Sequence, residues 1–253
     1  MGLARLAGII RLWQSLLLVL VSVVCVSPAG AEIVISGTRV VYNSSDHEVS
    51  LKVSNVGSQP SLLQTWADKG NAGSTPDTAD APFLIMPPIA RVDPGKSQTL
   101  RITYTGDDVP QDRESVYWLN ILDVPPLPKA KGDADSKNFV QVVFRSRIKI
   151  FYRPANLPGS ADGAASSVSW ELLKADGKYV LRGKNDSAYC VSVNKLQLAN
   201  GDHVFSHDGL TILPRSFTDF VLKDMTQKRP GPVILHYETI NDYGAVLPHS
   251  ATL

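Results

Sequence analysis

From position 33 onward, apolar residues recur in short alternating runs bounded by turn residues, and no sustained 3.6-residue period appears. A period of two is the mark of a half-buried strand, so the chain reads as all-β. In the first half the pattern predicts strands over 33–42, 48–55, 61–67, 83–86, 90–92, 97–104, 115–123 and 139–152. Asp93-Pro94-Gly95 is a turn signal, because proline presets φ and glycine accepts a positive one. A stretch rich in Pro, Gly, Ala and Ser, 154–167, then reads as a linker. Beyond it the pattern resumes over 168–174, 178–183, 188–198, 209–213, 218–222 and 233–241, with Asp176-Gly177 and Asn200-Gly201 as hairpin signals. Strands at this spacing, in two blocks, suit two β-sandwich domains over 32–154 and 155–253.

Residues 1–31 have a different pattern. Arg5 and Arg11 precede an apolar run over 16–26, and Ala29-Gly30-Ala31 supplies the small residues that a signal peptidase requires. The run is short for a membrane-spanning helix and stops at Ser27-Pro28, so the mature chain is expected to begin at Glu32. Of 25 basic and 24 acidic side chains, the leader takes two arginines and no acid, which leaves a mature charge of about −1. Such a chain has no overall field for nucleic acid. One of the two cysteines, Cys25, lies in the leader, without the small residues that precede a lipidated cysteine. Cys190 alone remains, so no intramolecular disulfide can form and apolar burial must hold the cores together. With Tyr189, Val191 and Val193 around it, Cys190 reads as a buried, unreactive thiol.

Several segments, in order, carry more information than the alternation does: Gly37-Thr38-Arg39-Val40-Val41-Tyr42, Pro110-Gln111-Asp112-Arg113-Glu114-Ser115, Ile148-Lys149-Ile150-Phe151-Tyr152-Arg153-Pro154 and Ile240-Asn241-Asp242-Tyr243-Gly244. Together the chain resembles the PapD-like periplasmic pilus chaperones over nearly all of its mature length. The resemblance implies two immunoglobulin-like β-sandwiches in a boomerang arrangement and no enzymatic activity. It implies pilus (fimbrial) subunits and an outer-membrane usher as partners. A subunit of this kind lacks its last strand, and the chaperone lends one of its own, the mode of β-augmentation known as donor-strand complementation. Val140, Val142 and Phe144, at period two on the strand that ends near Phe151, are the residues expected to fill the subunit's groove.

By the same resemblance, Arg39 and Lys149 anchor the C-terminal carboxylate of the subunit, and Glu114, Arg153 and Asp242 form an ion network between the domains. Lys149 is out of step with Val140, Val142 and Phe144, so a bulge or twist must intervene if both sets face the subunit. The segment 123–138 is short and has no cysteine, which places the chain with the short-loop branch. Its alternating charges suggest mobility before binding, and the apolar donor strand would then be shielded by self-pairing in a homodimer.

Other classes of function find less support. The sequence holds no nucleophile elbow, phosphate-binding glycine loop or zinc signature, and no cofactor is implied. His203 and His207 have a spacing that could chelate a metal on a helix, but the turn residues around them argue against one, so no metal is expected. A sugar-binding or structural sandwich would need neither Arg39 nor Lys149. The sequons at Asn43 and Asn185 read as incidental.

Overall fold

The structure, a computed structural model, describes residues 32–127, 141–175, 178–201, 203–222, 225 and 231–253. Nine strands make up its first half: β1 (Ile33–Ile35), β2 (Arg39–Asn43), β3 (Val49–Asn55), β4 (Ser61–Asp68), β5 (Phe83–Met86), β6 (Ile89–Val92), β7 (Ser97–Tyr104), β8 (Ser115–Val124) and β9 (Phe144–Arg153). They form a four-stranded sheet in the order β1-β3-β7-β5, facing a five-stranded sheet in the order β2-β9-β8-β4-β6. The alternation decides what lies between the sheets. On β8, Tyr117, Leu119 and Ile121 are buried, on β4 Leu63 and Ala67, and on β9 Ile150 and Tyr152, all in one core with Val53, Leu100 and Ile102. Each fully buried Leu or Ile of this set contributes about 1.5–3 kcal/mol. Tyr42, Phe83, Tyr104, Tyr117 and Tyr152 meet at ring-centroid distances of 4.5–6.3 Å.

The run expected as a single strand over 33–42 is two strands. β1 pairs with β3 in one sheet, and β2 pairs in parallel with β9 in the other. Ser36 and Gly37 make the change of sheet; Ser36 still donates its amide to the Lys52 carbonyl at 2.9 Å.

Among the described residues the second half holds seven strands: β10 (Ser169–Ala175), β11 (Lys178–Asn185), β12 (Val191–Asn200), β13 (His203–Ile212), β14 (Ser216–Val221), β15 (Ile234–Ile240) and β16 (Val246–Thr252). A sheet β10-β11-β14 faces a sheet β13-β12-β15-β16, around Leu181, Leu198, Ile212, Phe220 and Leu235. Three features depart from the expected elements. The stretch expected as a linker contains a short helix, α1 (Ala161–Ser166), capped by Ser160 Oγ accepting from the Gly163 amide, and its small Ala164 and Ala165 pack against the second core. β13 starts well before residue 209, and β16 was not anticipated. The hairpin signal at 176–177 lies outside the described residues.

Candidate functional site

The strand β9 organises the site, because alternation sends its even and odd residues to opposite faces. Ile148, Ile150 and Tyr152 point into the first core. Arg145, Arg147, Lys149 and Phe151 therefore point to the outer face of the five-stranded sheet. Pairing with β8 runs unbroken from Phe144↔Asp123 to Tyr152↔Ser115, so no bulge intervenes between Phe144 and Lys149. Phe144 lies on the inward-pointing side of the strand, 63% exposed beyond the edge of the core. Val142 precedes the strand and is 55% exposed, and Val140 lies outside the described residues.

Cross-strand pairing lines up one row over the outer face: Arg39 of β2 opposite Lys149, Lys149 opposite Trp118 of β8, and Trp118 opposite Asp68 of β4. Arg39 is half-buried. Its Nη1 donates to the Ile240 carbonyl of the second sandwich at 2.7 Å, while its buried Nε has no hydrogen-bond partner. Lys149 Nζ lies 3.4 Å from Ser192 Oγ of the second sandwich and 5.6 Å from the Trp118 ring centroid. Burial, followed by the neighbouring Arg39 cation, brings the Lys149 pKa down to about 8. Burial also lowers that of Arg39, against the pull of Asp242. Two like charges thus share a poorly solvated place at the junction of the sandwiches, next to a cavity of about 20 Å³ with room for about one water.

Glu114, Arg153 and Asp242 come together at the same junction. Arg153 donates through Nε to Glu114 Oε1 at 2.5 Å and through Nη1 and Nη2 to the two Asp242 oxygens at 2.8 and 3.0 Å. Glu114 is 3% exposed; its other oxygen accepts from the Cys190 amide at 2.8 Å, and its own amide donates to the Ala188 carbonyl at 2.8 Å. Burial holds the Glu114 carboxyl above its ordinary pKa even with Arg153 opposing it. Burial also acts to lower the Arg153 pKa, but hydrogen bonds and charge from Asp242 and Glu114 outweigh it and leave the guanidinium firmly charged. Burial pushes the Cys190 thiol up, with Glu114 adding to it. Nearby, Gly244 (φ 84°) approaches Thr38 so closely that a Cβ there would sit 2.8 Å from Thr38 Oγ1.

A second cluster on the same outer face involves residues that the sequence reading did not single out. Asp68 is fully buried and accepts from Asn120 Nδ2 (2.7 Å), Ser74 Oγ (2.8 Å), the Gly70 amide (2.7 Å) and Arg147 Nη2 (2.8 Å). Its carboxyl is held below the ordinary value: burial works the other way, but the bonds from Asn120, Ser74 and Gly70 and the Arg147 charge prevail. Arg147 lies over the Trp118 ring at 4.8 Å and Arg145 over Trp66 at 4.7 Å. Both guanidiniums also donate to Asn120 Oδ1 at 3.0 Å. The signal available in the sequence was the period-two run of cations 145, 147 and 149, with tryptophans at matching parity on two other strands.

His203 and His207 lie four residues apart on β13 rather than on a helix, a backbone separation of about 13 Å. His207 instead packs edge-to-face on Phe220. No cluster of three or more His, Cys, Asp or Glu side chains suited to a metal occurs among the described residues.

Comparison with known proteins gives consistent matches. Residues 32–158 match the family model of the pili and flagellar-assembly chaperone PapD N-terminal domain, and residues 163–251 that of the pili assembly chaperone PapD C-terminal domain. The chain is 41% identical over 230 residues to the chaperone protein FimB/FhaD of Bordetella pertussis, covering 89% of each. It is 37% identical over 225 residues to the probable fimbrial chaperone YadV of Escherichia coli, covering 88% of this chain and 90% of that protein. The crystal structure of the YadV chaperone superposes with a TM-score of 0.74 at 33% identity, over 88% of this chain and 100% of that one. The Pseudomonas aeruginosa CupB2 chaperone gives 0.69 at 34% identity, over 87% and 100%.

Proposed function

The chain belongs to the PapD-like pilus-assembly chaperones, and from that premise we propose that it caps pilus subunits in the periplasm with β9 as the lent strand and hands them to an outer-membrane usher. No step of this needs a chemical reaction: the chaperone works by supplying main-chain hydrogen bonds and apolar side chains to an incomplete sandwich. Residues 1–31 direct its export and are removed. The mature protein is two domains, 32–154 and 155–253.

The observation that carries the reading is a vacant lane beside β9. β2 pairs with β9 only from Arg39↔Lys149 onward, and before Arg39 the chain has crossed to the other sheet as β1. From Phe144 to Ile148, β9 therefore has β8 on one edge and no strand on the other among the described residues. A strand that enters this lane parallel to β9 stops where β2 begins, so its C-terminus meets Arg39 and Lys149. A carboxylate there gains charge-assisted hydrogen bonds, offers an acceptor to Arg39 Nε and neutralises a like-charged pair. The parity of Lys149 then presents no conflict. The anchor acts at the end of the lane from the outer face, while Phe144 fills the groove from the inner face, together with Val142 and Val140 earlier in the chain.

In the unliganded protein the same apolar edge is shielded by a second copy. The Glu114–Arg153–Asp242 network fixes the angle at which the second sandwich overhangs the anchor. Co-purification of a subunit from the native periplasm tests the reading, with Lys149→Ala as the variant that separates an anchored subunit from a contaminant.

A further inference from the structure

The root of the lent strand poses a physical problem. From Phe144 to Ile148, β9 has a strand neighbour on one edge only among the described residues, and Phe144 and Ser146 extend past the core with exposed side chains. A segment held on one side alone frays, and a frayed donor strand must be ordered at the moment of capture. The structure supplies a third support, on the outer face. Arg147 joins buried Asp68 with both carboxylate oxygens within 3.1 Å of Nη2 and stacks on Trp118. Arg145 stacks on Trp66 and donates to the Ala72 carbonyl and Ser74 Oγ, tying the strand to the loop that follows β4. These contacts leave the open edge and the inner face untouched, which are the two sides that a subunit engages.

We propose that Asp68, Arg145 and Arg147 are positioning residues for capture: they clamp the root of β9 in its extended form before a subunit arrives, so that the lane stands preformed. The proposal rests on β9 being the lent strand. The clamp supplies pre-organisation, which lowers the ordering cost of pairing along Phe144 to Ile148 and leaves the anchoring of the carboxylate beyond that segment unchanged. Trp118 lies between Arg147 and Lys149, so clamp and anchor share one ring and stay in register with each other.

Hydrogen exchange on the free mature chaperone, at a dilution at which it is monomeric so that no second copy covers the edge, read residue by residue through β9, tests the clamp. In Arg147→Met those amides between Phe144 and Ile148 that bond to β8 are expected to exchange about tenfold faster or more, while the hydrogen-bonded amides from Ile150 to Tyr152 and of β12 keep their wild-type rates. The association rate of the urea-denatured subunit that co-purifies with the wild type falls with them. Binding of a synthetic dipeptide of the subunit's last two residues with a free carboxylate, too short to line Phe144 to Ile148, changes by less than about threefold. Arg145→Met gives the same pattern and guards against an Arg147→Met chain that does not fold. Unchanged exchange at Phe144 to Ile148, or faster exchange spread evenly through both sandwiches, overturns the clamp. A wild-type protein that captures no subunit would instead overturn the chaperone reading, and the exchange pattern would still decide the clamp.

Discussion

Lys149 holds its ammonium where a charge is poorly accommodated. Burial and the adjacent Arg39 cation bring its pKa to about 8, below the ordinary 10.5. Because the unfolded chain binds this proton more tightly, the stability of the free protein rises with pH between those two values, and at neutral pH the charge is a net cost. Lys149→Met is therefore expected to stabilise the free chaperone at pH 7 by about 1–3 kcal/mol in urea denaturation, a gain that disappears by about pH 10.5. A carboxylate at the proposed anchor would reverse the preference by favouring the protonated amine. Capture affinity should be flat below about pH 7.5 and fall up to tenfold per unit above about pH 8. A Lys149→Met protein no more stable than wild type at pH 7 would contradict this account of the pair. Arg39 is a less clean probe, because Arg39→Ala also removes the bond to the Ile240 carbonyl.

The same division between stability and function runs along β9. Phe144 is 63% exposed and stands outside the first core. Phe144→Asp is expected to shift the chaperone's own unfolding by less than about 0.5 kcal/mol, yet to block groove filling, measured as loss of subunit from periplasmic extracts. Unaltered subunit recovery would make Phe144 a bystander. Most of the strands were legible in the sequence because their inner faces are apolar at period two. β16 was not: Val246–Thr252 is an edge strand of alternating half-buried and exposed residues, interrupted by Pro248 and His249. The first part of β13 was hidden by Asp208-Gly209, which reads as a turn. There the glycine serves close approach instead, since a Cβ at Gly209 would stand 2.8 Å from the Val193 carbonyl oxygen. The clamp was hidden for another reason. Alternating cations look like a solvated face, and only the loop folded over Trp66 and Asp68 makes them half-buried partners.

At the scale of the whole molecule, the two sandwiches are joined by side chains far apart in sequence. Arg153 bridges Glu114 in the first and Asp242 in the second, and Glu114 reaches across to the Cys190 amide. Those three positions came from the family resemblance, since no periodicity links residues 114, 153 and 242. Arg153→Met leaves a buried carboxylate without its cation, a loss of about 3–5 kcal/mol in this setting. Calorimetry is expected to show one thermal transition for the wild type and two for the variant, because the sandwiches keep separate cores. A single unshifted transition in the variant would mean that the network does not couple them. The coupling bears on the proposed anchor, which draws on both sandwiches: Arg39 and Lys149 from the first, Ile240 and Ser192 from the second.

The most direct measurement is intact-mass analysis of what co-purifies with the tagged protein from its native periplasm, wild type beside Lys149→Ala. The account predicts a near-stoichiometric small protein with the wild type that is absent from the variant, although the variant remains folded. A lone chaperone in both samples, or the same small protein retained equally by both, would contradict a subunit held by its carboxylate at the end of the β9 lane.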